Sequence, residues 1–293
     1  MEVVVLGAGS LGSLLGGLLA RRHDVTLVGR GDHVARVAAD GLEFRGAVTD
    51  HVSPAAGTTV PDAADLAVVA VKAGDTENAA DALADCRLRG ALSVQNGMGN
   101  EATLAARLDC EVLAGTCTYG AVRREPGVVE CTGVGEVVLG PREGGESTFS
   151  RAVADAFEAA GVVVSHDADM PRRLWEKLAV NAAINAPTAL ARVENGALQS
   201  GSGHDVAVAA AREAARAAQT EGVDLTEAEA VAAFERVADA TAANTSSMHQ
   251  DVLAGQPTEV EAINGYVVSH APAAPVNRTL RDLLVAWERA NAD

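Results

Sequence analysis

Lysine is almost missing from this chain. Its 293 residues include 21 arginines but only two lysines, Lys72 and Lys177. Basic residues are also few beside acidic ones, 23 against 40, so the formal net charge is −17. Because nucleic acids need a basic binding surface, this charge argues against a nucleic-acid partner. An acidic, lysine-poor composition further predicts a halophilic protein from a salt-rich cytoplasm, where charge repulsion is screened.

Aromatic residues and paired cysteines are scarce as well. Aromatics make up 3% of the chain, so its core must be built mainly from valine, leucine and alanine. The four cysteines form no C-x-x-C pair and the seven histidines are scattered, so neither a metal site nor a disulfide framework is predicted. With 48% hydrophobic residues, a chain of 293 residues is long enough for two globular domains.

Long uninterrupted hydrophobic runs are missing too. The most apolar stretch, residues 3–20, is broken by glycines, preceded by Glu2 and followed by Arg21 and Arg22. A signal peptide would instead have a basic start and small residues at its end, and a membrane span would be an unbroken apolar run. We therefore expect a cytoplasmic protein without a membrane partner.

Short β segments alternate with helical segments in the first half of the chain. Strand-like runs such as VVVL, DVTLV, DLAVVAV and ALSV are separated by stretches of helical composition, and GLEFRGAVTDHVS predicts an inserted pair of short strands. This alternation is typical of a doubly wound, mainly parallel α/β sheet. After about Asp167 only alanine-rich helical segments follow. We therefore predict an α/β domain over residues 1–167 and an all-helical domain over residues 168–293.

A glycine-rich turn follows the first predicted strand. Gly7, Gly9 and Gly12 form the pattern G-x-G-x-x-G between that strand and a helix, with a second strand close behind. In this context the pattern marks a Rossmann-type dinucleotide site, because the pyrophosphate needs a tight turn and the amide groups of a helix start. A glycine-rich packing turn is the alternative. The residues expected to bind the cofactor here are Gly7, Ala8, Gly9, Ser10, Leu11 and Gly12.

The end of the second predicted strand indicates which dinucleotide binds. NAD-binding folds place Asp or Glu there to hold the ribose hydroxyls, whereas this chain has Gly29 and Arg30. A guanidinium binds a 2′-phosphate instead, so Arg30 favours NADP; a solvated loop arginine is the alternative. Lys72 and Asn96 each follow a later predicted strand, at the sheet edge where ligands bind in open α/β sheets.

Lys177 begins a polar series in the segment RRLWEKLAVNAAIN. Asn181 and Asn185 follow it at four-residue steps, so the three side chains share one stripe of an α-helix. Arginine holds its proton too tightly to release it, whereas the pKa of lysine, about 10.4 in water, falls with burial and neighbouring charges. A site that gives a proton to a carbonyl oxygen therefore has a reason to keep lysine. A surface lysine on an amphipathic helix is the alternative.

A second polar cluster lies downstream in NTSSMHQDVLAGQPTEVEAING, where it includes Ser246, Ser247 and Glu259. Glu261 follows Thr258 at capping-box spacing, so Glu261 is expected to cap a helix start. Glu259 would then lie in the first helical turn. There it either serves a site or only complements the helix dipole.

These motifs resemble those of the ketopantoate reductase (2-dehydropantoate 2-reductase) family. The resemblance runs the length of the chain through segments in the family's order. They are GAGSLGSLLG, VKAGDT, QNGMGNE, TYGAVRREPGVVECTGVGEVVLG, WEKLAVNAAINAPTAL, SSMHQDVLAGQPTEVEAING and PVNRTL. One departure is Gln256, which stands where the family often has arginine. It leaves the other assignments intact.

The resemblance implies a role for each matching residue. Lys177 corresponds to the proton donor, and Glu259 to a catalytic residue close to cofactor and substrate. Asn96 and Ala121 match positions near the nicotinamide, and Lys72 matches one near the cofactor phosphates. The implied substrate contacts are Asn96, Lys177, Asn181, Asn185, Asn195, Asn244, Thr245, Ser246 and Ser247.

The activity implied by the resemblance is the reduction of 2-dehydropantoate to pantoate by NADPH, in the biosynthesis of pantothenate and coenzyme A. A reductase of the same build that acts on another branched 2-oxo acid is one alternative. A non-catalytic NADP-binding regulator is another, although such a protein would be expected to lose the side chains of Lys177 and Glu259. The sequence leaves the oligomeric state open, and a homodimer is one option.

Overall fold

The structure, a computed structural model, describes residues 1–291. It divides into two compact units. The first consists of Met1–Gln95 and Asn100–Met170, and the second of Asn96–Gly99 and the chain from Pro171 onward. The short segment Asn96–Gly99 thus belongs to the second unit although it lies between two parts of the first in the sequence.

A large sheet of eight strands forms the centre of the first unit. Its strands are parallel to their neighbours except where β11 runs antiparallel to β8. The predicted doubly wound, mainly parallel sheet is confirmed, and the order is β12-β11-β8-β7-β6-β1-β2-β5. The strands of the unit are β1 Glu2–Leu6, β2 Asp24–Val28, β3 Leu42–Gly46, β4 Asp50–Val52, β5 Ala55–Gly57, β6 Ala63–Val69, β7 Arg87–Ser93, β8 Glu111–Cys117, β9 Gly120–Glu125, β10 Val128–Gly133, β11 Val137–Pro141 and β12 Val164–His166.

Hydrophobic runs explain why the central strands form. Residues 66–69 of β6 are all buried, and so are residues 3–6 of β1 beside it. Such runs suit a parallel strand that is covered on both faces. The covering helices are α1 Ser10–Leu19, α2 Asp32–Asp40, α3 Thr76–Leu83, α4 Asn100–Ala105 and α5 Thr148–Ala159.

A smaller sheet of four strands packs in the same unit, in the order β4-β3-β10-β9. The predicted inserted strand pair is its antiparallel pair β3 and β4. β10 runs parallel to β3, with Val129 opposite Phe44, and antiparallel to β9. Helix α1 contacts both β9 and β10. The β9–β10 hairpin is thereby placed beside the helix that follows the glycine-rich turn.

The second unit is helical, as predicted. Its helices are α6 Met170–Ala191, which begins at the last residue of the first unit, α7 Gly201–Thr220, α8 Glu227–Ala240, α9 Ser247–Leu253, α10 Tyr266–His270 and α11 Pro275–Ala290. Buried alanines on α7 let α8 pack closely against it. From residue 167 to residue 291 the structure contains no strand. Within residues 1–291, no helix combines the length and apolar character that a membrane crossing requires.

Candidate functional site

The glycine-rich turn connects β1 to α1. Gly7 has φ +107°, and a Cβ atom there would come within 2.6 Å of the backbone nitrogen of Val71. A Cβ on Gly12 would collide with the carbonyl oxygen of Gly7. Both positions therefore require glycine, whereas a Cβ on Gly9 would meet only open space. Because α1 also begins without a side-chain cap, its first amide groups are suited to an anion.

The loop after β2 carries Arg30. Its side chain is exposed, and no carboxylate stands at the strand end, where Gly29 donates its amide to the carbonyl of Gly57 at 3.0 Å. Gly31 has φ +73° and is the N-cap residue directly before α2. An exposed guanidinium at this position fits a cofactor with a 2′-phosphate better than one with a free ribose diol.

A buried hydrogen-bond network lies where β6 and β7 end. Nε2 of Gln95 donates to the carbonyl of Val71 at 3.1 Å and to Oγ1 of Thr76 at 2.7 Å. Oγ1 of Thr76 lies 2.8 Å from Oδ1 of Asn100. The network holds the backbone at Val71, and the exposed Lys72 is the next residue. Local sequence patterns did not predict these three polar partners, although all lie in the VKAGDT and QNGMGNE segments.

The β9–β10 hairpin also contacts the glycine-rich turn. The amide of Arg123 donates to Oγ of Ser10 at 3.0 Å. Ala121, expected near the nicotinamide, lies on the same strand and is half-buried. The structure therefore brings Ala121 and Ser10 into one region of the first unit.

The predicted stripe of polar residues forms on α6. Lys177, Asn181 and Asn185 all lie within this helix. Lys177 and Asn181 are half-buried, whereas Asn185 is 6% exposed. At about 1.5 Å per residue, the four-residue steps place the side chains about 6 Å apart along the helix axis.

Ser246 links the segment before α9 to α6. Oγ1 of Thr188 donates to the carbonyl of Ile184 at 2.7 Å, so the Ser246 hydroxyl, 2.7 Å from Thr188, must donate to Thr188. Oγ of Ser246 also accepts the amide of His249 and thus caps α9. The proton of Ser246 is consequently used within the protein, whereas Ser247 beside it is exposed.

Asn195 joins this group from the short 3-10 helix Asn195–Leu198. Its backbone amide donates to the carbonyl of Asn244 at 3.0 Å, and its Nδ2 donates to Oγ1 of Thr241 at 2.9 Å. The Oδ1 atom of Asn195 is buried and has no hydrogen-bond partner among residues 1–291. An acceptor of this kind is suited to a ligand hydroxyl. Thr245, next to Asn244, is half-buried and its carbonyl accepts from Gln250.

Glu259 and Asn96 lie together in the second unit. Nδ2 of Asn96 donates to Oε2 of Glu259 at 3.2 Å. The backbone supports the pair, because the amide of Met98 donates to the carbonyl of Ala262 at 3.1 Å. Ala262 belongs to the π-helical turn Glu261–Gly265, a geometry often found at functional sites.

The predicted capping box between Thr258 and Glu261 is wrong. Thr258 uses its amide and its hydroxyl to donate to Oε1 of Glu288 on α11, at 2.7 and 2.6 Å. Its hydroxyl oxygen accepts the amide of Val260. The carboxylate that pairs with Thr258 therefore comes from a helix distant in sequence, and Glu261 is exposed.

A cavity of the first unit lies at the other end of the main sheet. Its volume is about 500 Å³, and it opens among the amino-terminal ends of β1, β2, β5 and β6. His23, Asp24 and Ser53 are among its lining residues. None of the described residues that line it is a predicted site residue, so the cavity does not belong to the candidate site.

Comparison with known proteins gives one consistent match. A sequence model of the family described as "Ketopantoate reductase PanE/ApbA" matches residues 3–144, and one described as "Ketopantoate reductase PanE/ApbA C terminal" matches residues 169–288. The chain is 44% identical to a 2-dehydropantoate 2-reductase of Halobacterium salinarum, with 99% of each chain covered. It is 34% identical to a 2-dehydropantoate 2-reductase of Pyrococcus horikoshii, covering 99% of this chain and 97% of that one.

Solved structures show the same fold. A PanE/ApbA family ketopantoate reductase from Ralstonia eutropha matches with a TM-score of 0.90 at 31% identity, and all of both chains is covered. D-mandelate dehydrogenase in complex with NADH and anilino(oxo)acetate matches with a TM-score of 0.91, covering 100% of this chain and 99% of that one. Its identity is 24%, so it shows a shared fold only.

Proposed function

Since this chain belongs to the ketopantoate reductase family, we propose that it catalyses the NADPH-dependent reduction of 2-dehydropantoate to pantoate, a step of pantothenate and coenzyme A biosynthesis. The observation that carries the proposal is the stripe of Lys177, Asn181 and Asn185 on α6. It places one proton donor in line with two amides that hold polar groups. Reduction of a ketone needs a proton at the oxygen as hydride reaches the carbon, and the amides can hold the substrate while Lys177 supplies that proton.

The first unit binds the cofactor. NADPH supplies the hydride. The amides of residues 7–12 would hold the pyrophosphate, Arg30 would hold the 2′-phosphate and Lys72 would contribute positive charge near the phosphates. The fit rests on the uncapped start of α1, the open space above Gly9 and the missing carboxylate after β2. Ala121 would contact the nicotinamide when the cofactor is bound, and the family resemblance implies the same role for Asn96 of the second unit.

Lys177 acts as the general acid. Its ammonium group polarises the ketone and donates a proton to the oxygen as negative charge develops there. General acid catalysis of this kind contributes about 10²–10⁴ in rate. The half-buried position of Lys177 partly shields the ammonium from water, which strengthens its interaction with the developing charge. The carboxylate of Glu259 accepts a hydrogen bond from Nδ2 of Asn96 and thus orients the Asn96 side chain.

The second unit binds the carboxylate and the primary hydroxyl of the substrate. Ser247 donates its exposed hydroxyl to the substrate carboxylate. The partnerless Oδ1 of Asn195 accepts the primary hydroxyl of 2-dehydropantoate, because leaving such a buried acceptor unpaired costs about 1–3 kcal/mol. Asn181 and Asn185 complete the polar wall. Further contacts come from the segment Asn244, Thr245 and Ser246, in which Ser246 mainly holds the segment against α6.

The cellular setting and assembly form part of the same proposal. The enzyme works in the cytoplasm, where its cofactor and substrate occur, and it forms a homodimer. Measurement of the molar mass in solution tests the assembly, and a monomer at micromolar concentration contradicts it.

The proposed function is tested by following NADPH oxidation with 2-dehydropantoate in the wild type and in Lys177 variants. Lys177→Ala should lower kcat by about 10²–10⁴ while NADPH binding stays normal. Lys177→Arg should not restore turnover, because a guanidinium does not release its proton. Arg173→Ala is the matched control, since Arg173 is exposed on the same helix one turn away.

Two outcomes contradict the proposal. Turnover near the wild-type value in Lys177→Arg removes the role of Lys177 as proton donor. A wild type that reduces no 2-oxo acid, while it still binds NADPH, supports the non-catalytic regulator instead.

A further inference from the structure

His33 is a buried histidine at the junction of three elements of the first unit. It lies in the first turn of α2 and is 3% exposed. Its Nε2 atom is 2.9 Å from Oγ of Ser13, which lies on α1. Its Nδ1 atom accepts the backbone amide of Gly127, in the turn between β9 and β10, at 3.1 Å.

These contacts fix the protonation state of the ring. The amide of Gly127 can only donate, so Nδ1 must carry a lone pair. The single ring proton is then on Nε2, which donates it to Ser13. A second proton on Nδ1 would point at the Gly127 amide and break that contact. Both bonds are therefore made only by the neutral ring.

The surroundings of His33 also favour the neutral ring. Burial lowers its pKa below the usual value, and the positive charge of Arg123 on β9 lowers it further. The contact from α1 is the uncharged Ser13 hydroxyl. On α2 itself, Asp32 and Arg36 are the neighbouring charged residues, and both are exposed.

Each element that His33 joins carries part of the proposed cofactor site. α2 follows the loop with Arg30, three positions before His33 in the sequence. α1 begins at the glycine-rich turn, and β9 contacts that turn through the bond between Arg123 and Ser10. Loss of the His33 contacts would therefore free the Arg30 loop from the helix that holds the pyrophosphate.

We propose that neutral His33 is a positioning residue that holds the Arg30 loop against α1 and thereby sets the preference for the 2′-phosphate of NADP over NAD. The proposal rests on the cofactor site assigned above. His33 does not touch the cofactor in this account. It acts through Arg30. The guanidinium of Arg30 and the amides of the glycine-rich turn must be held at a fixed distance, so that they can bind the 2′-phosphate and the pyrophosphate of one ligand together.

The test measures the dissociation constants of NADP⁺ and NAD⁺ by calorimetry without substrate. His33→Phe removes both contacts and should weaken NADP⁺ binding at least about 10-fold, the size of one or two hydrogen bonds, while NAD⁺ binding changes less than about twofold. His33→Asn keeps an oxygen that can accept the Gly127 amide and should lose less. The matched control is His166→Phe. His166 lies on β12, and its Nε2 atom is 2.7 Å from Oγ of Ser150 on α5, a contact similar to the one between His33 and Ser13.

A pH series gives a readout that a purely structural role would not move. At pH 8 the wild type should bind NADP⁺ more tightly than His33→Phe. Because burial holds the pKa of His33 below the usual histidine value, the ring gains its second proton only in more acidic solution. The Gly127 contact is then lost and the difference should close. The 2′-phosphate titrates in the same range, but it does so equally in both proteins.

The outcomes separate this proposal from the function it rests on. If the wild type prefers NADP⁺ and His33→Phe or His33→Asn folds with unchanged preference, the role of His33 is overturned and the cofactor assignment stands. Equal weakening of NADP⁺ and NAD⁺ binding overturns it as well. If the wild type itself prefers NAD⁺, both the assignment of Arg30 and the role of His33 fail. If His33→Phe does not fold, His33→Asn and Ser13→Ala decide the question by the same measurement.

Discussion

The side chain of Asn96 donates to the carboxylate of Glu259, with 3.2 Å between Nδ2 and Oε2, although 163 positions separate the two residues in sequence. A second bond, from the amide of Met98 to the carbonyl of Ala262, ties the same two segments together. The loop after β7 is therefore held by the segment that leads into α10 through a π-helical turn.

Glu259 should matter more than a carboxylate two positions away. Glu259→Gln keeps the size of the side chain but removes its charge, so the bond to Asn96 weakens. Because hydrogen bonds to charged groups contribute about 1.5–3 kcal/mol, we expect kcat/KM to fall about 10- to 100-fold. The control is Glu261→Gln, at an exposed position in the same segment, which should stay within about twofold. Equal effects of the two substitutions would show that the Asn96 contact is irrelevant to catalysis.

Arg30 should select the cofactor. Arg30→Ala should raise the KM for NADPH about 10- to 100-fold, the cost of losing a charge-assisted contact, and leave the KM for NADH nearly unchanged. Arg36→Ala is the matched control, because Arg36 is exposed and pairs with Asp40 at 2.9 Å. A rise of the same size for both cofactors would contradict the assignment.

Glu229 should make the stability of the second unit depend on acid pH. Hydrogen bonds from the side chain and backbone of Thr226, and the nearby Arg172, lower the pKa of Glu229 from 4.5 to about 2. A lowered folded-state pKa means that this stabilisation is present above about pH 4.5 and is lost as the pH falls towards about 2. Glu229→Gln should therefore unfold at a lower temperature than the wild type at pH 7. The difference should shrink across that window, and a difference that is constant with pH would exclude the charge as its cause.

Salt should stabilise the protein. With a net charge of −17, the acidic surface repels itself in dilute buffer. Molar KCl shortens the Debye length to about 3 Å and screens this repulsion. The midpoint of thermal unfolding should rise between low and molar KCl, as expected for a halophilic protein. A midpoint that stays constant or falls would contradict the halophilic interpretation.

Much of the fold could be predicted because its signals are local. A buried apolar run predicts β6, and the four-residue spacing of Lys177 and Asn181 predicts one stripe on a helix. The smaller sheet could not be predicted in full, since it pairs Phe44 on β3 with Val129 on β10. Nothing near either residue in the sequence indicates that pairing.

The candidate site was predictable only in part for the same reason. Spacing indicated that Thr258 and Glu261 form a capping box, but Glu288 from α11 reaches Thr258 instead. The bond between Asn96 and Glu259 and the buried link from Gln95 to Thr76 likewise depend on tertiary packing. Sequence motifs indicated which segments to compare, whereas the hydrogen-bond partners within them required the structure.

The central claim is that the second unit recognises the hydroxyl of 2-dehydropantoate by hydrogen bonding. One comparison of two substrates tests this claim most directly. The measurement is the ratio of kcat/KM for 2-dehydropantoate to that for 2-oxoisovalerate, which lacks the hydroxymethyl group. The account predicts a ratio of at least about 10², because the smaller substrate loses a couple of hydrogen bonds, including the one to the buried Oδ1 of Asn195. Asn195→Ala should lower this ratio by slowing 2-dehydropantoate alone. A wild-type ratio near one would contradict the account and favour a reductase of another branched 2-oxo acid.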